Sequence, residues 1–174
     1  LVKRLWTESN VTSKSQFWEL DKVTVMPKPF QQPRIPIWIG AHSEPALKRA
    51  VKYGDGWMGA GGATVKGFKQ QIKIVRQFLE ESDTDPSTFP ISKRIFISIE
   101  KDRDMGLRRL QEWFGSYYHD SELALKVAVC GPEEQVIDEV GQLLEENINM
   151  ILFNPVYDAN EQVEKLARDI IPKL

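Results

Sequence analysis

Gly40-Ala41-His42-Ser43 is the stretch of this chain best suited to hold an anion. It follows the apolar run Ile35-Pro36-Ile37-Trp38-Ile39 and precedes apolar residues at helical spacing. Its small residues therefore fall where a strand ends and a helix begins. Such a junction presents free amides and the positive end of a helix dipole, which together favour a phosphate. Ser43 adds a hydroxyl donor, although the same residue serves equally as a plain helix cap. His42 reads as a ligand contact rather than a catalytic group, set against the ordinary case of a solvated loop histidine. Gly59-Ala60-Gly61-Gly62 follows the next strand, and its glycines let backbone approach a ligand closely. A merely flexible loop explains that segment as well.

The other polar candidates yield to plainer explanations. Trp38 and Trp57 invite stacking on a planar ring, but a tryptophan in an apolar strand is core. Glu100, Lys101, Asp102 and Arg103 follow the third strand, where a loop of solvated charge pairs accounts for them; exposed pairs contribute at most about 1 kcal/mol. Asn154 and Tyr157, after the last strand, are read the same way. His119-Asp120 lies in a polar helix-to-loop stretch without a serine motif for nucleophilic catalysis. With two distant histidines and Cys130 as the single cysteine, an intrinsic metal site and an internal disulfide are not expected. No catalytic residue is assigned.

The elements that must position these residues alternate in type. A helix tail at the start and a hairpin through Phe17, Glu19, Asp21, Val23 and Val25 lead into the Pro-rich linker 27–33. Strands are expected at 35–40, 56–58, 94–99 and 150–153, as short apolar runs rich in β-branched and aromatic residues. Helices follow each one. The first carries Ala46, Leu47, Ala50 and Val51, with Ser43 as cap and Gly54 as C-cap glycine. Others carry Val65 to Leu79, Leu107 to Tyr117, Val136 to Leu144 and Val163 to Ile170. Gly131-Pro132-Glu133-Glu134 opens the penultimate helix with carboxylates at its positive end. Four apolar strands alternating with helices imply an α/β fold with a parallel sheet. A doubly wound sheet and part of a (β/α)8 barrel both satisfy that pattern; a whole barrel needs about 250 residues.

With 174 residues, 41% of them hydrophobic, the chain supports one globular core. Its 23 basic and 25 acidic residues are interspersed, with a net charge of −2. No basic stripe is available for nucleic acid. No apolar run approaches the roughly 18 residues of a membrane span, and Leu1-Val2-Lys3-Arg4-Leu5-Trp6 is too short and basic for a signal peptide. A cytoplasmic location is expected, as is a natural chain that starts upstream of Leu1.

Ordered segments then point to a family. Pro-Lys-Pro-Phe-Gln at 27–31, Ile-Pro-Ile-Trp-Ile-Gly at 35–40, Leu-Lys-Arg-Ala at 47–50 and Gly-Asp-Gly-Trp at 54–57 occur in close succession. With Val-Cys-Gly-Pro-Glu-Glu at 129–134, Asn-Met-Ile-Leu-Phe at 149–153 and Ile-Pro-Lys-Leu at 171–174, they resemble the bacterial luciferase-like superfamily of flavin- and deazaflavin-dependent oxidoreductases. The resemblance covers essentially the whole chain. It implies the C-terminal half of a luciferase-like (β/α)8 TIM barrel: an insertion hairpin and linker at 1–34, then the last four βα units at 35–174, in one domain. It implies FMN or a deazaflavin (coenzyme F420) held at Gly40, Ala41, His42, Ser43, Gly59 and Ala60, a small organic substrate, and a homodimer or self-associated half barrel. The half alone is expected to be inactive. One departure concerns position 41, where the family pattern has a second glycine. Two alternatives stand beside this reading: a non-catalytic ligand-binding module on the same fold, and a phosphate-metabolite TIM-barrel enzyme.

Overall fold

A computed structural model describes residues 1–174 as two compact units, Leu1–Ile37 and Trp38–Leu174. The first holds a short helix, α1 (Val2–Thr7), and an antiparallel hairpin of β1 (Val11–Lys14) and β2 (Glu19–Val23). The hairpin register shifts between Val11 and Ser13. Within this unit the Lys28 ammonium donates to the Leu5 carbonyl at 2.9 Å and to that of Glu8, fixing the proline-rich segment on the end of α1.

The second unit is built on a parallel sheet. Its strands are β3 (Trp38–Ala41), β4 (Gly56–Gly59), β5 (Ile91–Ile99), β6 (Ala128–Gly131) and β7 (Met150–Pro155). Between them run α2 (Glu44–Tyr53), α3 (Val65–Glu80), α4 (Arg103–Tyr118), α5 (Leu123–Val127) and α6 (Glu133–Leu144), with α7 (Ala159–Lys165) after β7. The four expected strands are all present, and β6 is an addition. Its four residues are too few to show a periodicity, and in the sequence they mark only the approach to α6.

Register fixes where β6 lies. Phe96 and Ile97 pair with Ala128 and Val129 of β6, and the same two residues pair with Asn154 and Pro155 of β7. A strand has only two edges, so β6 and β7 flank β5 on opposite sides. β4 pairs with β5 only as far as Lys93. β6 therefore occupies the edge that β4 leaves vacant beyond that point.

Alternation along the strands sorts their side chains between two faces. Ile39, Ala41, Trp57, Ile91, Ile95, Ile97, Ile99, Ile151 and Phe153 join the main core, with Leu47, Ala50 and Val51 of α2 and Phe68, Ile72, Val75 and Leu79 of α3. Phe96 points the other way and packs with Leu110 and Phe114 of α4, Ala124 and Val127 of α5, and Cys130. β5 is thus buried on both faces along almost its whole length, with Ser92, Lys93 and Ser98 buried among its apolar residues.

Helix ends differ in detail from expectation. Thr64 caps α3, accepting from the Gly67 N–H at 3.0 Å. Ser43 occupies the cap position of α2, but its side chain makes no cap bond. Gly54 stands at the C-cap in extended rather than left-handed conformation, so no glycine-specific geometry is needed there. Gly131 does need it, with φ of 139° just before Pro132 turns the chain into α6.

Candidate functional site

All five strands of the sheet run the same way, so the loops after them open on one side. β3 and β4 pair with Ala41 opposite Gly59. The two stretches singled out from the sequence, 40–43 and 59–62, therefore leave the sheet at the same level, next to each other.

At the first, Gly40 is exposed, and a Cβ placed on it would meet nothing nearer than the Met58 carbonyl oxygen at 4.0 Å. The Ala41 methyl is buried in the main core, on the face opposite Gly40. The departure from a second glycine thus leaves the open face unobstructed. Two side chains hold this backbone from beneath: Trp57 Nε1 donates to the Ala41 carbonyl at 3.0 Å, and Gln71 Nε2 to the His42 carbonyl at 3.1 Å. His42 and Ser43 are exposed.

The start of α2 offers fewer donors than a generic helix. Pro45 has no N–H, and those of Ala46 and Leu47 both donate to the Ser43 carbonyl. In the first turn the amide without an acceptor inside the helix is that of Glu44. The Glu44 carboxylate also adds negative charge to the same end, which opposes a second anion.

The glycines at 59–62 are explained mainly by packing. A Cβ on Gly59 would lie 2.8 Å from Phe68 Cδ2; one on Gly61, 2.7 Å from Phe96 Cε2 and 2.8 Å from Arg94 Nε. Gly62 alone is open. Ala60 is half-buried, and its carbonyl is taken by the Lys93 ammonium, which also donates to the Ala63 carbonyl at 3.1 Å. Lys93 is 2% exposed and lies over the Phe68 ring, 5.4 Å from its centroid. Burial, with the charge of Arg94 second, pushes its pKa down to about 8.

The charged residues after β5 are absorbed into the framework. Asp102 caps α4, accepting from the N–H groups of Asp104 and Met105. Arg103 donates to the Cys130 carbonyl at 2.7 Å and pairs with Glu139 at 2.9 Å. Glu100 pairs with Arg109 at 3.2 Å; the same guanidinium reaches Asp158 at 2.7 Å and lies over the Tyr157 ring. Arg109 so ties the loop after β5 to the loop after β7. Gln162 closes both polar groups of Ile99, donating to its carbonyl and accepting from its N–H at 2.7 Å. Beside them, Ile99, Glu100, Lys101, Pro132, Glu133, Glu134 and Lys165 line a cleft of about 320 Å³. Burial raises the Cys130 thiol to about 11, which leaves it a poor nucleophile.

Trp57 is fully buried and stacked on Phe68, as a core residue should be. Trp38 is only half-buried, over Gly56 on the same face as Gly40. His119 ends α4 in left-handed conformation, while Asp120 accepts from the Leu123 N–H; neither bonds the other. No helix is long and apolar enough to cross a membrane. The sequence reading missed Lys93, Arg109, Gln71 and Gln162. None of the four carries a local sequence signal, because each acts on backbone or side chains far along the chain.

A family model described as luciferase-like monooxygenase matches residues 1–127. An F420-dependent glucose-6-phosphate dehydrogenase of Amycolatopsis mediterranei is 20% identical over 197 residues, covering 100% of this chain and 59% of its own length. An FMNH2-dependent dimethylsulfone monooxygenase of Pseudomonas putida is 32% identical over 75 residues, 43% of this chain and 20% of that protein. Among solved structures, an F420-dependent secondary alcohol dehydrogenase bound to an F420–acetone adduct superposes with a TM-score of 0.85 at 22% identity, over 98% of this chain and 58% of that one. A coenzyme F420-dependent tetrahydromethanopterin reductase from Methanopyrus kandleri gives 0.78 at 14%, over 98% and 60%. This chain spans about three fifths of the length of these full-length matches. The structural likeness shows the fold: part of a TIM barrel of the luciferase-like type.

Proposed function

The chain belongs to the luciferase-like monooxygenase family, and on that premise we propose that it supplies the phosphate-binding side of a flavin- or deazaflavin-dependent oxidoreductase acting on a small organic molecule. The observation that carries this reading is the open backbone at Gly40, one residue before Ala41 pairs with Gly59 at the start of the neighbouring loop, and the Ser43 hydroxyl that makes no cap bond.

The residues present fit a phosphate-bearing cofactor. The Ser43 hydroxyl and the Glu44 amide are neighbouring donors at the start of α2, and His42, next in the chain, is exposed. Gly40 leaves the sheet face bare, so a ribityl chain can lie directly on backbone. The Glu44 charge limits the site to modest affinity from this side alone. When bound, FMN supplies chemistry with O2 and coenzyme F420 supplies hydride transfer; the protein's part is to bind, orient and exclude water. Trp57 and Gln71 carry out the orienting by fixing the Ala41 and His42 carbonyls. Ser43 and Glu44 bind.

Both cofactor types occur in the names of the relatives, and the substrate follows from neither. Fluorescence titration of the chain with FMN and, separately, with coenzyme F420 tests the proposal. Quenching that saturates with one of them, and is weakened at least tenfold by Gly40→Val, is expected. Saturable binding unaffected by Gly40→Val, or no binding of either, would overturn it.

A further inference from the structure

Lys93 is the least expected residue of the sheet. It sits inside β5, faces the helix-covered core and is 2% exposed. No carboxylate pairs with it. β4 and the segment 60–64 contain no ionisable side chain. The first three turns of α3 bring only Lys66, Lys69 and Lys73, and Lys69 is paired with Glu146. β7 has no charged residue, and the one charge acting on Lys93 is its neighbour Arg94. A buried cation in such surroundings is costly, and unpaired lysines are rarely kept inside.

What the ammonium does hold is the glycine-rich loop. It donates to the carbonyls of Ala60 and Ala63, the two ends of the turn that follows β4. That turn crosses the edge of β5 between the last β4 pair, Gly59 with Lys93, and the first β6 pair, Phe96 with Ala128. Arg94 and Phe96 press on it from the opposite face, at Gly61. The loop is thus clamped across a strand edge, with Lys93 the one polar attachment on its inner side.

We propose that Lys93 is a positioning residue, setting the shape of the 60–63 loop so that the open Gly62 backbone stands beside the 40–43 site. The inference rests on the proposed cofactor reading for its consequence, but not for the clamp itself. Because the buried, loop-bound lysine binds its proton less tightly than a solvated one, protonation favours release of the loop and rising pH tightens it.

The test is NMR on the full chain with 13C-labelled alanine. The carbonyl shifts of Ala60 and Ala63 should titrate together with a midpoint near 8 and should lose that titration in Lys93→Met. Cofactor affinity, measured with FMN and with coenzyme F420, should rise several-fold from pH 7 to pH 9 in the wild type and stay flat in Lys93→Met. If the variant does not fold, the wild-type titration alone decides. Carbonyl shifts that stay constant through this range overturn the clamp. Titrating carbonyls with pH-independent affinity overturn its role at the site. A wild type that binds neither cofactor overturns the functional reading instead, and the carbonyl titration still judges Lys93.

Discussion

Trp57 and Ala41 are joined by a buried hydrogen bond from the indole Nε1 to the main-chain carbonyl, 3.0 Å long. The bond links the core face of one strand to the last residue of its neighbour, just where the candidate site begins. The tryptophan is core, stacked on Phe68, yet it also fixes the backbone from which Gly40, His42 and Ser43 are presented.

Trp57→Phe keeps most of the buried ring and removes the donor. The Ala41 carbonyl would then be buried without a partner, at a cost of about 1–3 kcal/mol. Urea unfolding should show a loss in that range with an unchanged slope. A loss below 0.5 kcal/mol, on the order of an ordinary surface change, would mean the bond does not hold the strand end.

Gly40 and Gly59, at the ends of the paired strands β3 and β4, should respond differently to an added methyl. Gly59→Ala drives a methyl into the Phe68 ring and should destabilise by about 1–3 kcal/mol through overpacking. Gly40→Ala meets open space and should alter stability by less than about 0.5 kcal/mol. Thermal unfolding of both variants checks the contrast, and equal effects would contradict the assignment of their faces.

Lys93 makes stability depend on alkaline pH with a definite sign. Its folded pKa, about 8, lies below the ordinary 10.5, so between these values the unfolded chain binds more protons than the folded one. Stability from this group is complete above 10.5 and lost as pH falls through 8. Relative to Lys93→Met, the wild type should gain about 3 kcal/mol between pH 8 and pH 10.5. Other titrating groups cancel in that difference. A flat difference would show that the ammonium is not desolvated.

Much of this arrangement was legible in the sequence, and the rest depended on contacts made far along the chain. The apolar runs at 35–39 and 150–153 marked strands by their composition, although β3 begins only at Trp38 and β7 is covered only at alternate residues, Met150 and Leu152 staying exposed. The small residues at 40–43 marked a strand-to-helix junction because they stand between the first of these runs and apolar residues at helical spacing. Lys93 was not legible: two consecutive basic residues, Lys93 and Arg94, look like the start of a strand, whereas β5 begins at Ile91. The lysine makes sense only once carbonyls some thirty positions earlier are placed beside it. Likewise β6 is defined by the edge that β4 vacates, not by its own four residues. Gln162 is recognisable as a clamp only beside Ile99, 63 positions away.

The sheet also predicts association. β3, β6 and β7 each pair with a single neighbour, and Met150 and Leu152 on β7 are 49% and 43% exposed. Open edges and apolar faces of this kind pair with other chains. Sedimentation velocity should show dimers or larger species whose share grows with concentration. A single compact monomer across the accessible range would contradict this.

The most direct test compares FMN with riboflavin, which lacks the phosphate, by the amide chemical shifts of His42, Ser43 and Glu44. FMN should move these three signals in a saturable way, and riboflavin should leave them in place while binding at least tenfold more weakly. Equal shifts with both compounds, or none with FMN and none with coenzyme F420, would contradict the claim that this strand end receives an anionic group.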